Sequence, residues 1–144
     1  MILATFYSFL SSLCFAFIFN IRGKNILIAS IGGSLSWLIY LIIQNVHGSN
    51  TVSLFVAAFV VSIYSEVMAR VFRSPVTTYT ICGIIPLVPG GGMYDTMFQT
   101  ISGNISKATL AGLQTLTGAG AIAIAMVMVS SLCRLIFYKK KQAH

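Results

Sequence analysis

The sequence carries very little charge. Only 8% of its 144 residues are Asp, Glu, Lys or Arg, whereas soluble domains carry about 25%. Hydrophobic residues make up 57% of the chain, and the mean hydropathy is +0.91. A folded body with so few charges would not stay dissolved, so lipid must solvate it. The composition predicts a single integral membrane domain over residues 1–144 and excludes a multidomain soluble enzyme.

Acidic residues are almost absent, since Glu66 and Asp95 are the two carboxylates of the chain. Nine Lys and Arg residues give a net charge of +7, but they lie between or after apolar stretches and form no extended basic segment within the chain. Nucleic-acid binding requires a solvated basic face with polar surroundings. We therefore expect no nucleic-acid partner.

Groups that could carry catalysis are equally few. Apart from the two carboxylates, the chain has His47 and His144 and three cysteines in apolar stretches, Cys14, Cys82 and Cys133. No CxxC spacing, phosphate-binding motif or catalytic constellation emerges from them. The sequence predicts no enzymatic activity, no cofactor and no metal site.

Five apolar stretches are candidates to cross a bilayer, whose core takes about 20 helical residues. They lie at about residues 1–20, 26–44, 51–69, 76–90 and 110–137. The first has no basic residues before its apolar core, so we expect a retained helix rather than a cleaved signal peptide. The fourth is short and contains Pro and Gly, so it is either a crossing with an irregular end or a re-entrant element. The predicted fold is an all-α integral membrane protein with about five transmembrane helices and a Pro/Gly-broken fourth span.

A further helix is predicted between the fourth and fifth spans. Apolar residues recur there with helical spacing, and polar residues fill the remaining positions; the apolar ones are Tyr94, Met97, Phe98, Ile101 and Ile105. This periodicity is typical of an amphipathic helix. We expect that helix over about residues 93–106.

The basic residues predict the orientation, because cytoplasmic loops collect Lys and Arg. With five crossings, eight of the nine basic residues fall on one side and only Lys107 falls on the other. The eight are Arg22, Lys24, Arg70, Arg73, Arg134, Lys139, Lys140 and Lys141. We therefore expect the N-terminus outside and the C-terminus in the cytoplasm. A re-entrant fourth element would separate the basic clusters.

Glu66 lies within an apolar stretch, where a carboxylate is costly unless it is paired or reaches water. Arg70 follows four residues later, on the same helix face and in the favourable order. One interpretation is an interfacial ion pair that fixes the cytoplasmic end of the third span. The other is a gate or a proton-coupling carboxylate.

The segment from residue 77 to residue 95 has the richest chemistry. Hydroxyl groups precede two prolines, three consecutive glycines and the start of the amphipathic helix. Glycines can expose backbone N–H groups, and a helix N-terminus favours an anion such as a substrate carboxylate. The alternative is a turn where the chain leaves the membrane. The candidate substrate path comprises Thr77, Thr78, Thr80, Pro86, Pro89, Gly90, Gly91, Gly92, Tyr94 and Asp95.

Small residues recur at a spacing of four, which is typical of closely packed membrane helices. The pairs are Gly32 with Ser36, Ala58 with Ser62, Ala108 with Gly112, and Ala119 with Ala123. They predict close helix contacts and are compatible with a homo-oligomer.

The run Ile-Pro-Leu-Val-Pro-Gly-Gly-Gly-Met-Tyr, residues 85–94, resembles the threonine/serine exporter family, specifically its small YjjB-like half. The resemblance extends through Ser65, Glu66 and the Arg73-Ser74-Pro75 turn to nearly the whole five-span layout. It implies export of small amino acids, or of dicarboxylates such as succinate. It also implies a larger YjjP-like membrane subunit as partner.

The expected function is therefore that of a subunit in a bacterial plasma (inner) membrane exporter of small carboxylate-bearing metabolites. Such a subunit would act with its larger partner by alternating access in the lipid bilayer. Two alternatives remain open: a homo-oligomeric membrane channel, and a scaffold subunit that transports nothing.

Overall fold

The computed structural model describes residues 1–142, with side chains as far as Leu135. The side chains of Lys139, Lys140 and Lys141, and residues 143 and 144, lie outside the described part. The described chain is helical throughout, which confirms the all-α class. Its helices are α1 (Ile2–Ile18), α2 (Asn25–His47), α3 (Asn50–Val71), α4 (Val76–Ile84), α5 (Gly90–Ile101) and α6 (Ile105–Gln142), with a 3₁₀ turn at Ile85–Leu87 after α4.

Three helices, α2, α3 and α6, are each long and apolar enough to cross a membrane. Helix α4 with its 3₁₀ turn meets the same criterion only together with α5, and the two parts are bent by 48°. Helix α1 is apolar but has only 17 residues, or about 25 Å of helix. The count of five crossings stays a prediction.

The amphipathic helix has different bounds from those expected at 93–106. It begins at Gly90, directly after Pro89, and ends at Ile101. Gly103 adopts a φ of +77°, a conformation that glycine reaches without strain. The spacing of four between Ile101 and Ile105 continues the apolar period across this turn and hides the break. Asn104 precedes α6, so the last helix starts at Ile105 rather than near residue 110.

Helix α2 is the centre of the fold, because it packs against α1, α3 and α4. Its contact surface consists of buried small residues, Ala29, Ser30, Gly32, Gly33 and Ser36. The buried residues of α1 are also small: Ser8, Ser12 and Ala16, at a spacing of four. Small side chains let helix backbones approach closely inside a membrane.

Gly33 shows how close that approach is. A Cβ atom at this position would overlap the Ser12 hydroxyl and lie 3.0 Å from the carbonyl oxygen of Cys82. Of the predicted small-residue pairs, Gly32 with Ser36 and Ala58 with Ser62 are buried, whereas Ala119 and Ala123 are exposed. Small residues therefore mediate packing in α2 and α3 but do not all do so in α6.

Helix α6 has two different neighbours along its length. Its first part meets α5: a Cβ atom at Gly112 would lie 3.4 Å from Thr96 Cγ2. From Gly118 onward it packs on α3, and Ile122 and Ala125 share a core cluster with Leu54, Ala57 and Ala58. We call α1 to α4 with α6 from residue 118 the bundle, and α5 with residues 105–117 the arm.

The arm stands apart from the bundle. Among the described helices, α5 contacts α6 alone, and none of the residues of α5 is buried. Its large apolar side chains are exposed, from Phe98 at 53% to Ile101 at 84%. The bundle and the arm meet at the break between α4 and α5.

Candidate functional site

A cavity of about 350 Å³ lies where the bundle meets the arm. Its walls come from three sides: the facing parts of α2 and α3, the broken segment with the start of α5, and the first part of α6. The lining residues are Trp37, Tyr40, Asn50, Leu54, Pro86, Leu87, Val88, Pro89, Gly90, Gly91, Gly92, Asp95, Ala111, Gln114 and Thr115. The two prolines, the three glycines and Asp95 of the predicted substrate path thus share one cavity.

The bundle contributes an aromatic and amide wall. The rings of Trp37 and Tyr40 stack with their centroids 5.0 Å apart. The Tyr40 hydroxyl donates a hydrogen bond of 3.0 Å to Oδ1 of Asn50, which leaves the Asn50 amide nitrogen available as a donor. This wall can contact an apolar stem and hydrogen-bond a polar group.

The three glycines form the first turn of α5. The Gly90 N–H donates to the Val88 carbonyl at 2.7 Å, and the Met93 N–H donates to the Pro89 carbonyl at 3.1 Å. The N–H groups of Gly91 and Gly92 lie between these two in the first turn, where amides have no acceptor within the helix. A helix N-terminus also carries partial positive charge. This turn can therefore bind an anionic group.

The glycines differ in what surrounds them. Nothing lies within 4 Å of a Cβ atom built at Gly90 or Gly91, whereas one at Gly92 would overlap the Thr115 hydroxyl. None of the three has a positive φ, so conformational freedom does not explain them. Gly92 lets α5 approach α6, and Gly90 and Gly91 leave the helix N-terminus uncovered.

Asp95 is the acidic group of the cavity. Its side chain is exposed, and the ion pair found among the described side chains lies elsewhere. Among the side chains that the structure describes, no Lys or Arg lines the cavity. The cavity thus presents one carboxylate and one helix N-terminus, which have opposite electrostatic character.

The hydroxyl residues of α4 are not part of this cavity. Thr77 and Thr78 line a separate cavity of about 210 Å³ with Phe19, Ile21 and Ile81. The Thr80 hydroxyl donates to the Val76 carbonyl of its own helix at 3.0 Å. Nine residues of helical chain separate Thr77 from Pro86, which is about 13 Å.

Tyr94 also points away from the lining set. It is 68% exposed and stacks on Phe98, with ring centroids 6.1 Å apart. Its ring therefore belongs to the apolar surface of the arm.

Glu66 and Arg70 form an ion pair on α3. Arg70 Nη2 lies 2.8 Å from Glu66 Oε2, and Nη1 donates to the Glu66 carbonyl oxygen at 2.7 Å. Glu66 is buried at 8% exposure, while the Arg70 side chain is 36% exposed. Twelve residues of α3 separate Glu66 from the cavity residue Leu54, about 18 Å along the helix, so the pair lies far from the cavity.

Several cavity residues carried no local signal in the sequence. Trp37, Tyr40 and Asn50 lie in or beside α2 and α3 and reach the cavity only through the packing of those helices. Gln114 and Thr115 were detectable in principle, because adjacent polar residues in an apolar span mark a functional position. Among the described residues, no group of three His, Cys, Asp or Glu side chains could hold a metal ion.

The long apolar helices, the interrupted helix and the polar cavity beside it define a polytopic α-helical membrane protein. The sequence profile of the family described as "Threonine/Serine exporter, ThrE" matches residues 4–132. The chain therefore belongs to the threonine/serine exporter family, which is a family of transporters rather than enzymes. No curated protein and no solved structure matches the chain.

Proposed function

We propose that this chain is a subunit of a bacterial inner-membrane exporter of threonine, serine or similar small carboxylate-bearing metabolites, and that the cavity between bundle and arm is its substrate site. The observation that carries the proposal is the composition of that cavity. It combines a glycine-rich helix N-terminus, one carboxylate and an aromatic and amide wall in a chain of an exporter family. Irregular backbone at membrane depth is tolerated where it lines such a cavity.

The charge pattern of the cavity favours a zwitterion. A substrate carboxylate fits the Gly91 and Gly92 N–H groups, and a substrate ammonium group fits the Asp95 carboxylate. A side-chain hydroxyl can meet Asn50 or Gln114. A dicarboxylate such as succinate would bring its second carboxylate towards Asp95 with no Lys or Arg in the lining to offset the repulsion. The amino acids are therefore the preferred substrates in this proposal.

The order of contacts along α3 and α6 supports a crossing by the broken helix. Asn50 shares the cavity with Gln114, Leu54 meets Gly118, and Ala58 clusters with Ile122. The two helices are thus parallel, so the chain between them must return to the side from which α3 started. A bent α4–α5 span does this, whereas a re-entrant element does not. With α1 as the first crossing, the proposal has five crossings, and the basic residues that cluster on one side assign that side to the cytoplasm, with the N-terminus outside.

The partner in this proposal is the larger YjjP-like subunit. The exposed apolar surface of the arm provides area for intramembrane contact, and exposed small residues such as Ala119 and Ala123 allow close helix approach. A second copy of this chain would give a homo-oligomer and a channel in place of an exporter.

The test is transport in proteoliposomes containing the full chain with and without the larger subunit. The expected result is saturable counterflow of labelled threonine by the complex, little flux by the chain alone, and weaker uptake of succinate. Asp95→Asn should reduce threonine flux, whereas Gln99→Ala, on the same helix but outside the cavity lining, should not.

Each contrary result points to a different function. Unsaturable flux by the chain alone would establish the channel. An absence of any effect of cavity substitutions on flux, at constant abundance of the complex, would establish the scaffold. Succinate flux equal to threonine flux and unchanged in Asp95→Asn would overturn the assignment of the cavity.

A further inference from the structure

The end of α4 has a shortage of hydrogen-bond donors. Pro86 lacks an N–H group, so the carbonyls that this amide would serve, three or four residues earlier, receive nothing from it. Those carbonyls belong to Gly83 and Cys82. In a membrane interior no bulk water can replace the missing donor.

Two serine hydroxyls from neighbouring helices supply the replacement. Ser12 Oγ on α1 donates to the Cys82 carbonyl at 3.0 Å. Ser36 Oγ on α2 lies 2.7 Å from the Gly83 carbonyl and 2.8 Å from the Gly33 carbonyl of its own helix. Both serines are fully buried at 0% exposure. Each of the two carbonyls affected by Pro86 thus accepts a serine hydroxyl from another helix.

Buried serines elsewhere in the bundle behave differently. In α3, Ser62 and Ser65 bond within their own helix, donating to the Ala58 and Val61 carbonyls. Ser53 lies within hydrogen-bond distance of the Ser49 carbonyl and of the Gln44 side chain of α2, and neither acceptor belongs to α4. Ser8 on α1 does reach another helix, but its acceptor is the Gly33 carbonyl in the continuous part of α2. Capping of α4 is therefore specific to Ser12 and Ser36 within the described side chains.

The packing around these bonds leaves room for them. Gly33 has no side chain at the place where a Cβ atom would overlap the Ser12 hydroxyl. The start of α4 is held separately, because the fully buried Tyr79 donates from its hydroxyl to Asn25 Oδ1 at 2.9 Å. Helix α4 is thus attached to its neighbours at both ends, and the serines hold the end next to the cavity.

We propose that Ser12 and Ser36 are positioning residues for the substrate site. Their hydroxyls replace the amide that Pro86 lacks, fix the 3₁₀ turn at Ile85–Leu87, and thereby set the cavity wall from Pro86 to Gly92. This inference rests on the proposed function in one respect, because it takes that cavity to be the substrate site. The capping itself is a property of the fold and is measurable without transport.

The capping is tested on the Cys82 carbonyl. In the full chain with Cys14→Ala and Cys133→Ala, incorporation of carbonyl-¹³C cysteine labels residue 82 alone. In lipid nanodiscs, Ser12→Ala should shift the ¹³C amide I band of this carbonyl to higher frequency, as expected for a lost hydrogen bond. Ser8→Ala, on the same helix, should leave the band unchanged. An unchanged band in Ser12→Ala would overturn the capping.

A double substitution tests whether the serine replaces the amide of residue 86. Ser12→Ala should lower the thermal midpoint by about 3 to 9 °C, the shift expected for one unsatisfied buried carbonyl. Pro86→Ala restores an N–H group at residue 86, so Ser12→Ala should cost much less in that background. Equal drops in the thermal midpoint in both backgrounds would overturn the claim that the Ser12 hydroxyl replaces the missing amide. If Pro86→Ala does not fold, the ¹³C band of the Cys82 carbonyl still tests the hydrogen bond from Ser12.

The positioning role is tested with a reporter in the cavity. In a version without the three native cysteines, Gly91→Cys should react several-fold faster or slower with a polar thiol reagent when Ser12→Ala or Ser36→Ala is added. A Thr77→Cys reporter, in the other cavity, should not change. If both reporters change equally, the serines have only a general structural role.

Transport then separates this inference from the proposed function. With the larger subunit present, Ser36→Ala should raise the half-saturation concentration for threonine more than it lowers the maximal rate. An altered reactivity of the Gly91→Cys reporter with unaltered threonine kinetics would show that the cap positions this wall but that the cavity is not the substrate site. Unaltered reactivity together with unaltered kinetics would overturn the positioning role.

Discussion

The helices of the bundle and those of the arm pack in different ways. In the bundle, buried serines, alanines and glycines bring α1, α2, α3 and α4 into close contact. In the arm, α5 has no buried residue and packs on α6 alone. The helices of the bundle thus bury small residues against one another, whereas α5 buries none, and large apolar side chains are exposed in both regions. The cavity lies between a part in which several helices pack together and a part in which α5 packs on α6.

The largest expected effect is a clash inside the bundle. Gly33→Ala places a methyl group against the Ser12 hydroxyl and the Cys82 carbonyl, and we expect it to lower the free energy of unfolding by about 2 to 3 kcal/mol. The matched change Gly90→Ala meets nothing within 4 Å and should be neutral or slightly stabilising. Thermal unfolding of both variants in nanodiscs measures the difference, and equal midpoints would contradict the close packing described for α1, α2 and α4.

A matched pair of isoleucines compares the two regions directly. Ile122 in the bundle is 6% exposed and Ile101 in the arm is 84% exposed. Ile122→Ala should cost about 2 kcal/mol through lost packing, whereas Ile101→Ala should stay within about 0.5 kcal/mol for the chain alone. The same Ile101 change should weaken co-purification with the larger subunit if the arm is the contact surface. Similar losses of stability in both variants would remove the distinction between bundle and arm.

Breaking the Glu66–Arg70 ion pair of α3 should lower stability by less than the changes above, and the loss should depend on which partner is removed. Arg70→Gln leaves the buried Glu66 carboxylate without this partner, so we expect a loss of about 1 to 2 kcal/mol, below the usual range for buried pairs because Arg70 is partly exposed. Glu66→Gln should cost less, since Arg70 can reach water. Thermal midpoints give the order, and transport assays on the same variants test the gate or coupling role. If both variants transport and assemble normally, the gate hypothesis fails.

The smallest effect on stability is expected at the junction, where function should respond instead. Gly92→Ala would overlap the Thr115 hydroxyl, whereas the same change at Gly91 meets nothing. We expect Gly92→Ala to loosen α5 from α6 at a cost of about 1 kcal/mol or less, because α5 packs on no other described helix and can shift away from Thr115. Gly91→Val should keep normal membrane abundance and still reduce flux, because its side chain stands at the helix N-terminus. Normal threonine flux in Gly91→Val would argue against substrate binding at this turn.

The sequence predicts the parts of this molecule that depend on local pattern. The scarcity of charge identifies a membrane protein, and the spacing of four places Glu66 beside Arg70 on one helix face. Pro86 and Pro89 predict the interruption between α4 and α5. The end of the amphipathic helix was missed because Ile101 and Ile105 keep the helical period across Gly103.

The remaining features depend on contacts between distant segments. Thr77 and Thr78 precede the glycines by little more than one helix length, so sequence proximity suggested one site, but the rigid α4 keeps the two groups apart. Trp37, Asn50 and Gln114 meet in the cavity because α3 and α6 pack in parallel, and no short motif encodes that pairing. The role of Ser12 at the end of α4 joins residues 70 positions apart, which no helical periodicity reveals.

The most direct test of the central claim is substrate protection in the cavity. The complex carries Gly91→Cys in a version without Cys14, Cys82 and Cys133, and a polar thiol reagent is applied with and without threonine. We predict that the residue at position 91 reacts and that threonine slows its reaction, whereas Thr77→Cys reacts at the same rate in both conditions. The neighbouring positions 90 to 95 should give the same pattern wherever they face the cavity. Reaction at position 91 without any protection by threonine or serine, in a complex that transports them, would contradict the claim that this cavity is the substrate site.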